Sequence, residues 1–316
     1  MIHERHKLQT LIAGAVLAGL AFVPLYAWLT GDMYVLTLFG RILAFSLAAL
    51  GLNLALGFGG MVSLGHAMYM GLGAYTVGIL SSLGVFSGWI HLGCTAFITI
   101  LIDTPLSWVA LRTQGIAFIM ITLAFAQMVY YLVVSFKAYG GDDGLPLLAR
   151  SRVGMLDMSA DTNFYYITLA ICLLVLVLIA RLLNARFGHV LQAIRDNETR
   201  MQSLGYAIFN YKLCAFTLSG AVAGLAGALL ANQSGFVSPA MMQWSQSGML
   251  MMMVILGGVG HLYGGVWGAV VFLLLEEWLS HFTIHWQLGL GALLLAVVLI
   301  APNGLTSVRN HLRKEL

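Results

Sequence analysis

The chain has 316 residues, of which 60% are hydrophobic and only 9% charged, with a formal net charge of +3. That composition lies outside the range of soluble globular domains and marks an integral membrane protein, and so small a charge excludes a nucleic-acid partner. Apolar runs stay continuous over about 20 residues, which points to helices, since the strands of a membrane barrel alternate over about 10.

Taken in chain order, ten runs are predicted to span the bilayer. The first, residues 8–29, follows Arg5 and Lys7. It is longer than the apolar core of about 7–15 residues in a cleaved signal peptide, and is read as a retained span. Gly31 and Asp32 form a short outside turn, and the second run, 34–56, carries Arg41 near its outer end, where a long side chain can snorkel to the interface. Residues 56–80 are interrupted by Gly57, Gly59, Gly60, Gly65, Gly71, Gly73 and Gly78, so this third run is expected to be closely packed or partly unwound. The fourth, 85–111, contains Asp103 and Pro105, and an irregular, partly wet bend is expected there, with Arg112 at the cytoplasmic edge. The fifth, 116–136, includes Gln127. The mixed-charge segment 137–163 is external by the parity of spans, and the sixth run, 164–183, brings the chain back to a polar segment at 184–211. Then come a seventh run at 213–230, an outside loop through Ser238 and Pro239, and an eighth run at 248–262. An inside turn from His261 to Gly265 leads to a ninth run at 266–279, with Glu276 and Glu277 solvated near its outer end, and a tenth at 286–300. Pro302, Asn303 and Gly304 stop the tenth.

The predicted fold is all-α: a polytopic integral membrane protein with about ten transmembrane helices, broken or re-entrant segments being allowed among them, as one domain over 1–316. Ten of the fifteen Lys and Arg residues fall in three regions: Arg5 and Lys7; Arg181, Arg186, Arg195, Arg200 and Lys212; Arg309, Arg313 and Lys314. The positive-inside rule faces these regions, and so both termini, to the cytoplasm.

The chain has no GxxxxGK[ST] pattern, no HExxH and no GxSxG. Any ATP must therefore be hydrolysed on another subunit, and neither an enzyme, a metal nor a cofactor is implied. Cys94, Cys172 and Cys214 are widely spaced and read as small apolar fillers. SGAVAGLAGALLA, from Ser219 to Ala231, places Gly220 and Gly224 four apart, and Gly260, Gly264 and Gly268 repeat the spacing. Such stripes bring helix backbones close, within one subunit or against a second. The glycine-rich stretches beginning at Leu56 and Leu256 resemble each other weakly, as two related halves would and as glycine-rich segments also do by chance. Polar groups at membrane depth face a cavity or another helix, which makes Asn53, Ser63, His66, Thr122 and Gln127 the candidate translocation pathway. Each alone is more often a helix-to-helix hydrogen bond than a substrate ligand; as a group they weigh more, and Ser63 and His66 are expected one helical turn apart.

In the polar segment, Val190, Ile194, Met201 and Leu204 are spaced 4, 7 and 3 apart. An amphipathic helix from about Gly188, broken near Asp196 and Asn197, fits this spacing. Asn197 is suited to cap a second short helix, Glu198 to its first turn and Gly205 to its end. Gln192, Asp196, Asn197 and Glu198 mix with Arg186, Arg195 and Arg200, a set that suits a groove on a protein better than anionic headgroups.

Several stretches resemble the branched-chain amino acid permease family of ABC transporters, the LivM type, to which urea permeases are related. They are GLNLALGFGGMVSLGHAMYMGLGAYTVGIL, RTQGIAFIMITLAFAQMVYYL, GGDDGL, RFGHVLQAIRDNETRMQSLGYAIFNYKLCAFTLSGAVAGLAGALLA, MVILGGVGHLYGGVWGA and LIAPNGL, which lie within 51–305, and the resemblance as a whole covers 38–305. The resemblance implies a permease in a bacterial inner membrane that works with a second, related permease, two cytoplasmic ATP-binding subunits and a periplasmic solute-binding protein. It also implies that Arg186, Gly188, Gln192, Ala193, Ile194, Arg195, Asp196 and Asn197 couple to an ATPase subunit. His189 stands where the family frequently has a basic residue. The expected cargo is a branched-chain amino acid. Urea or a short amide is the alternative substrate, and an ion-coupled secondary transporter the alternative mechanism.

Overall fold

The computed structural model describes residues 19–154, 156–282 and 284–300. The start of the first predicted run, the N-terminal Arg5 and Lys7, and the stop signal and basic tail after 300 lie outside the described residues, so neither terminus is placed. Each of the ten apolar runs contains a helix: α1 (Gly19–Thr30), α2 (Met33–Asn53), α3 (His66–Ser82), α4 (Gly88–Ala110), α5 (Ile116–Ser135), α6 (Asp161–Asn184), α9 (Ile208–Ser234), α10 (Trp244–Gly257), α11 (Gly264–Ser280) and α12 (Trp286–Ile300). Two polar helices, α7 (Arg186–Asp196) and α8 (Glu198–Ser203), lie between α6 and α9.

Six of the ten, namely α2 with its extension, α4, α5, α6, α9 and α11, are long and apolar enough to cross a membrane. The chain is thus a multi-pass, all-α membrane protein. The 14-residue α10 reaches about 21 Å at 1.5 Å per residue, short of a hydrocarbon core of about 30 Å. It begins at Trp244 and stops at Gly257, earlier at both ends than the hydropathy suggests.

The third run is both closely packed and unwound. After Asn53 the helix continues as a π-helical turn, Leu54–Phe58, and helix is lost until His66. Ser63 therefore sits in the unwound stretch rather than one helical turn before His66, and accepts a hydrogen bond from the Gly65 N–H at 3.1 Å.

At Pro105 the expectation of an irregular, wet bend is overturned. Helix α4 runs through Pro105, and Asp103 is fully buried, accepting hydrogen bonds from the Tyr69 and Ser107 hydroxyls. Proline removes a single backbone donor, and the packing of α4 on α9 holds the turns on either side.

Helix α9 is the centre of the bundle, with α2, α3 and α4 around it. A Cβ at Gly227 would strike the carbonyl of Met70, and one at Gly73 would strike that of Gly224. The small-residue stripe is thus a seam within this chain, held by dispersion between backbones in contact. A second seam joins α11 to α2 and α10, where a Cβ at Gly265 would lie 2.9 Å from Ala49 C and one at Gly268 would meet the Met253 carbonyl.

At the end of the bundle away from α7, segment 137–163 folds down onto α9. Strand β1 (Leu145–Pro146) pairs antiparallel with a strand just after α9 (Phe236–Val237), and β2 (Arg152–Val153) with β3 (Leu156–Asp157). Asn232 on α9 accepts from the Ser151 N–H at 2.8 Å and its hydroxyl at 2.7 Å, while Arg150 donates to Asp161 at 2.6 Å and to the Gln233 carbonyl at 3.1 Å.

Candidate functional site

Only Ala185 separates α6 from α7, and the elbow is tight because a Cβ on Gly188 would strike the backbone of Leu182 and Leu183. The helix forms from Arg186 to Asp196 with Gly188, Leu191 and Ile194 on its buried face. The apolar periodicity is therefore carried by Leu191 where Val190 is the expected position, and Leu204 is 65% exposed rather than packed. Arg186, His189, Asp196 and Asn197 are exposed, with Gln192 and Ala193 half-buried at the border. Ile194, 1% exposed, faces the membrane domain.

Arg195 is the residue that ties this helix to the bundle. Its Nη1 donates to the Gly57 carbonyl at 2.6 Å, and Nε and Nη2 donate to Asp196 Oδ1 at 3.2 and 3.1 Å. Its stem runs between two glycines in the left-handed region, Gly60 at φ +69° and Gly260 at φ +77°. A Cβ on Gly60 would lie 2.8 Å from Arg195 Cγ, and one on Gly260 3.2 Å from Nη1. A side chain at either place would be strained and would displace the guanidinium. The two weakly similar glycine-rich stretches thus meet each other here, each interrupting helix, and α7 rests on both.

Beyond α7, Asn197 caps α8 by accepting from the Arg200 N–H at 2.9 Å, and Gly205 ends it, its N–H bonding back to Gln202 at 2.9 Å, as the sequence predicts. Lys212 to Glu198 at 2.6 Å and the stacked Phe187 and Tyr211 rings pin both short helices to the start of α9.

The five pathway candidates separate. Asn53 is consumed at the helix breaks: Nδ2 donates to the His261 carbonyl at 2.8 Å and Oδ1 accepts from the Gly260 N–H at 3.1 Å. His66 lies deeper, 2.7 Å from Ser219 Oγ, which donates to the Gly51 carbonyl at 2.5 Å. His66 must therefore donate through Nε2, leaving Nδ1 buried without a partner. Thr122 bonds the Ile119 carbonyl at 2.9 Å within its own helix and borders a small cavity with Gly65, Tyr69, Ser107 and Phe216. Gln127 is half-buried one turn further along α5, outside that cavity.

Sequence reasoning missed four polar contacts here: Tyr69 and Ser107 on Asp103, Ser219 under His66, and Arg41 with Glu276. Glu276 is not solvated as expected. Its side chain is 15% exposed and pairs with Arg41 at 3.2 Å, while neighbouring Glu277 accepts from the Tyr34 hydroxyl at 2.5 Å. Arg41 and Tyr34 are seven residues apart, two turns on one face of α2, and Glu276 and Glu277 are adjacent; that spacing was the available signal.

The family described as "Branched-chain amino acid transport system / permease component" matches residues 34–301. The high-affinity branched-chain amino acid transport system permease protein LivM of Escherichia coli strain K12 is 30% identical over 280 residues, covering 81% of this chain and 66% of its own length. Its counterpart from Salmonella typhimurium is 29% identical with the same coverage, so the chain spans just under two thirds of both relatives. A probable LivM from Methanocaldococcus jannaschii is 24% identical over 308 residues, covering 82% of this chain and 89% of its own length. No solved structure matches. The chain belongs to the family of permease components of branched-chain amino acid transport systems.

Proposed function

We propose that this chain is one transmembrane subunit of an ATP-driven importer for branched-chain amino acids, and that α7 is its coupling helix. The carrying observation is the two-sided character of α7: Gly188, Leu191 and Ile194 are buried on one face and Arg195 ties the helix to the breaks, while Arg186, His189 and Asp196 are exposed on the other, Asp196 being held by Arg195. In this reading a force applied to the exposed face is passed to the breaks through the hydrogen bond from Arg195 to the Gly57 carbonyl.

In this reading α7 and the basic segment face the cytoplasm of a bacterial inner membrane, with segment 137–163 outside and both termini inside. Two ATP-binding subunits, one on this chain and one on a second related permease, separate and close with ATP. Helices α3 and α11, each beginning at a break, then shift against α9 to expose the pathway to alternate sides. A periplasmic solute-binding protein delivers the cargo and sets much of its selectivity.

The reading is tested in proteoliposomes holding the complete transporter and its binding protein. ATP-dependent uptake of leucine, isoleucine or valine supports it. Uptake of urea alone overturns the substrate, and uptake driven by a sodium or proton gradient without ATP overturns the mechanism.

A further inference from the structure

A cavity of about 450 Å³ opens at the end of the bundle opposite α7, between α2, α3, the end of α9 and the connection to α10. Its size is that of a small-molecule site. Arg41 is the charged residue in its wall. A guanidinium stays charged at any attainable pH and offers five N–H donors. Here one of them goes to Glu276 at 3.2 Å, and the ring of Phe45 lies under the cation, 5.6 Å from its centroid. Arg41 is the more exposed member of the pair, 39% against 15%, so Glu276 stands behind it and fixes its direction.

Two acceptors beside this cation are left over. Gln233, also in the wall, donates through Nε2 to the Thr37 carbonyl at 2.6 Å, while its Oε1 is buried with no hydrogen-bond partner. Glu276 Oε2 is buried and unpartnered as well. Buried acceptors without partners are costly, and a ligand that brings N–H donors relieves them. Phe45, Met70, Leu230 and Met241 make the rest of the wall apolar.

We infer that this cavity is a binding site for a zwitterion with an aliphatic tail, that is, an α-amino acid held by its carboxylate on Arg41 and its ammonium on Gln233. Glu276 is a positioning residue for the guanidinium. The apolar wall receives the side chain and accepts aliphatic groups in general, so the head group is recognised here and the tail mainly excludes water. This inference rests on the import reading above.

The test uses the complete transporter in lipid nanodiscs, with Ser234→Cys placed in the cavity wall and Cys94, Cys172 and Cys214 replaced. Leucine is expected to protect that thiol from a maleimide, whereas isoamylamine, lacking the carboxylate, and isovalerate, lacking the ammonium, protect about tenfold more weakly. The double variant Arg41→Gln with Glu276→Gln removes both charges together without leaving either unpaired; it should bind leucine and isoamylamine equally. Equal protection by all three ligands in the parent protein, or unchanged leucine preference in the double variant, overturns the site. Leucine uptake by the same preparation with binding protein and ATP is measured in parallel. Uptake with no protection sinks the site alone, and no uptake at all sinks the import reading.

Discussion

Arg195 donates to the carbonyl of Gly57 across 138 residues of sequence, at 2.6 Å, and so joins the helix on the polar segment to the place where α2 loses its helix. A hydrogen bond from a charged group contributes about 1.5–3 kcal/mol, so this contact ties α7 to the break.

Replacing Arg195 with Gln should therefore uncouple the transporter rather than unfold it. ATP hydrolysis by the assembled complex is expected to continue, while transport per ATP falls about tenfold or more. Measuring both in the same proteoliposomes checks this; an unchanged ratio would remove Arg195 from the transmission.

The two faces of α7 should answer differently to charge. Arg186→Glu or His189→Glu alters only the exposed face, and is expected to weaken association with the ATP-binding subunit while the chain stays inserted and folded. Ile194→Asp buries a carboxylate at a position 1% exposed, and should cost more than about 3 kcal/mol. Co-purification and membrane protein levels separate the outcomes.

The seam between α3 and α9 predicts a steep size limit. Gly73→Ala and Gly227→Ala each place a methyl against a carbonyl of the facing helix, and should destabilise by about 1–3 kcal/mol. Gly248, with nothing within 4 Å of its absent Cβ, is the control: Ala there should be neutral or stabilising by up to about 1 kcal/mol. Thermal unfolding in detergent reads all three.

Asp157 predicts an acid limit for the β2–β3 hairpin. Its carboxylate accepts from the Ser159 N–H at 3.0 Å and hydroxyl at 2.7 Å, which lower its pKa below 3.8. A depressed value in the folded state means the stabilisation is complete above 3.8 and is lost as pH falls through the lowered value. Exchange of the Ser159 amide, corrected for its intrinsic rate, should accelerate in that window, and Asp157→Asn should abolish the pH dependence.

The helices were legible because membrane hydropathy is a local property; each of the ten runs contains a helix, and Asn197 and Gly205 announce the ends of α8 by short-range capping chemistry. What could not be read was direction. Arg195 looks like part of a polar docking face until the fold turns it onto Gly57, and Asp103 beside Pro105 looks like a wet bend until Tyr69, 34 residues earlier, supplies a hydroxyl. Both depend on which helices become neighbours, and periodicity in one helix says nothing about its partners. Glu276 was misjudged for the same reason: its place near a helix end suggests solvent, and only the packing of α11 on α2 brings it to Arg41.

The pairing of α2 with late-arriving partners has a consequence for how the chain is made. Gly51 waits for Ser219, 168 residues on; Asn53 for His261, 208 on; and Arg41 for Glu276, 235 on. Synthesis proceeds from the N-terminus, so α2 enters the lipid with a guanidinium and a carboxamide that have nothing to bind until α9 and α11 are delivered. Among the described helices α2 is early to be threaded and late to be finished, so a stalled or truncated product ending before α11 keeps an apolar α2 whose Arg41 lacks Glu276, a ready substrate for membrane quality control.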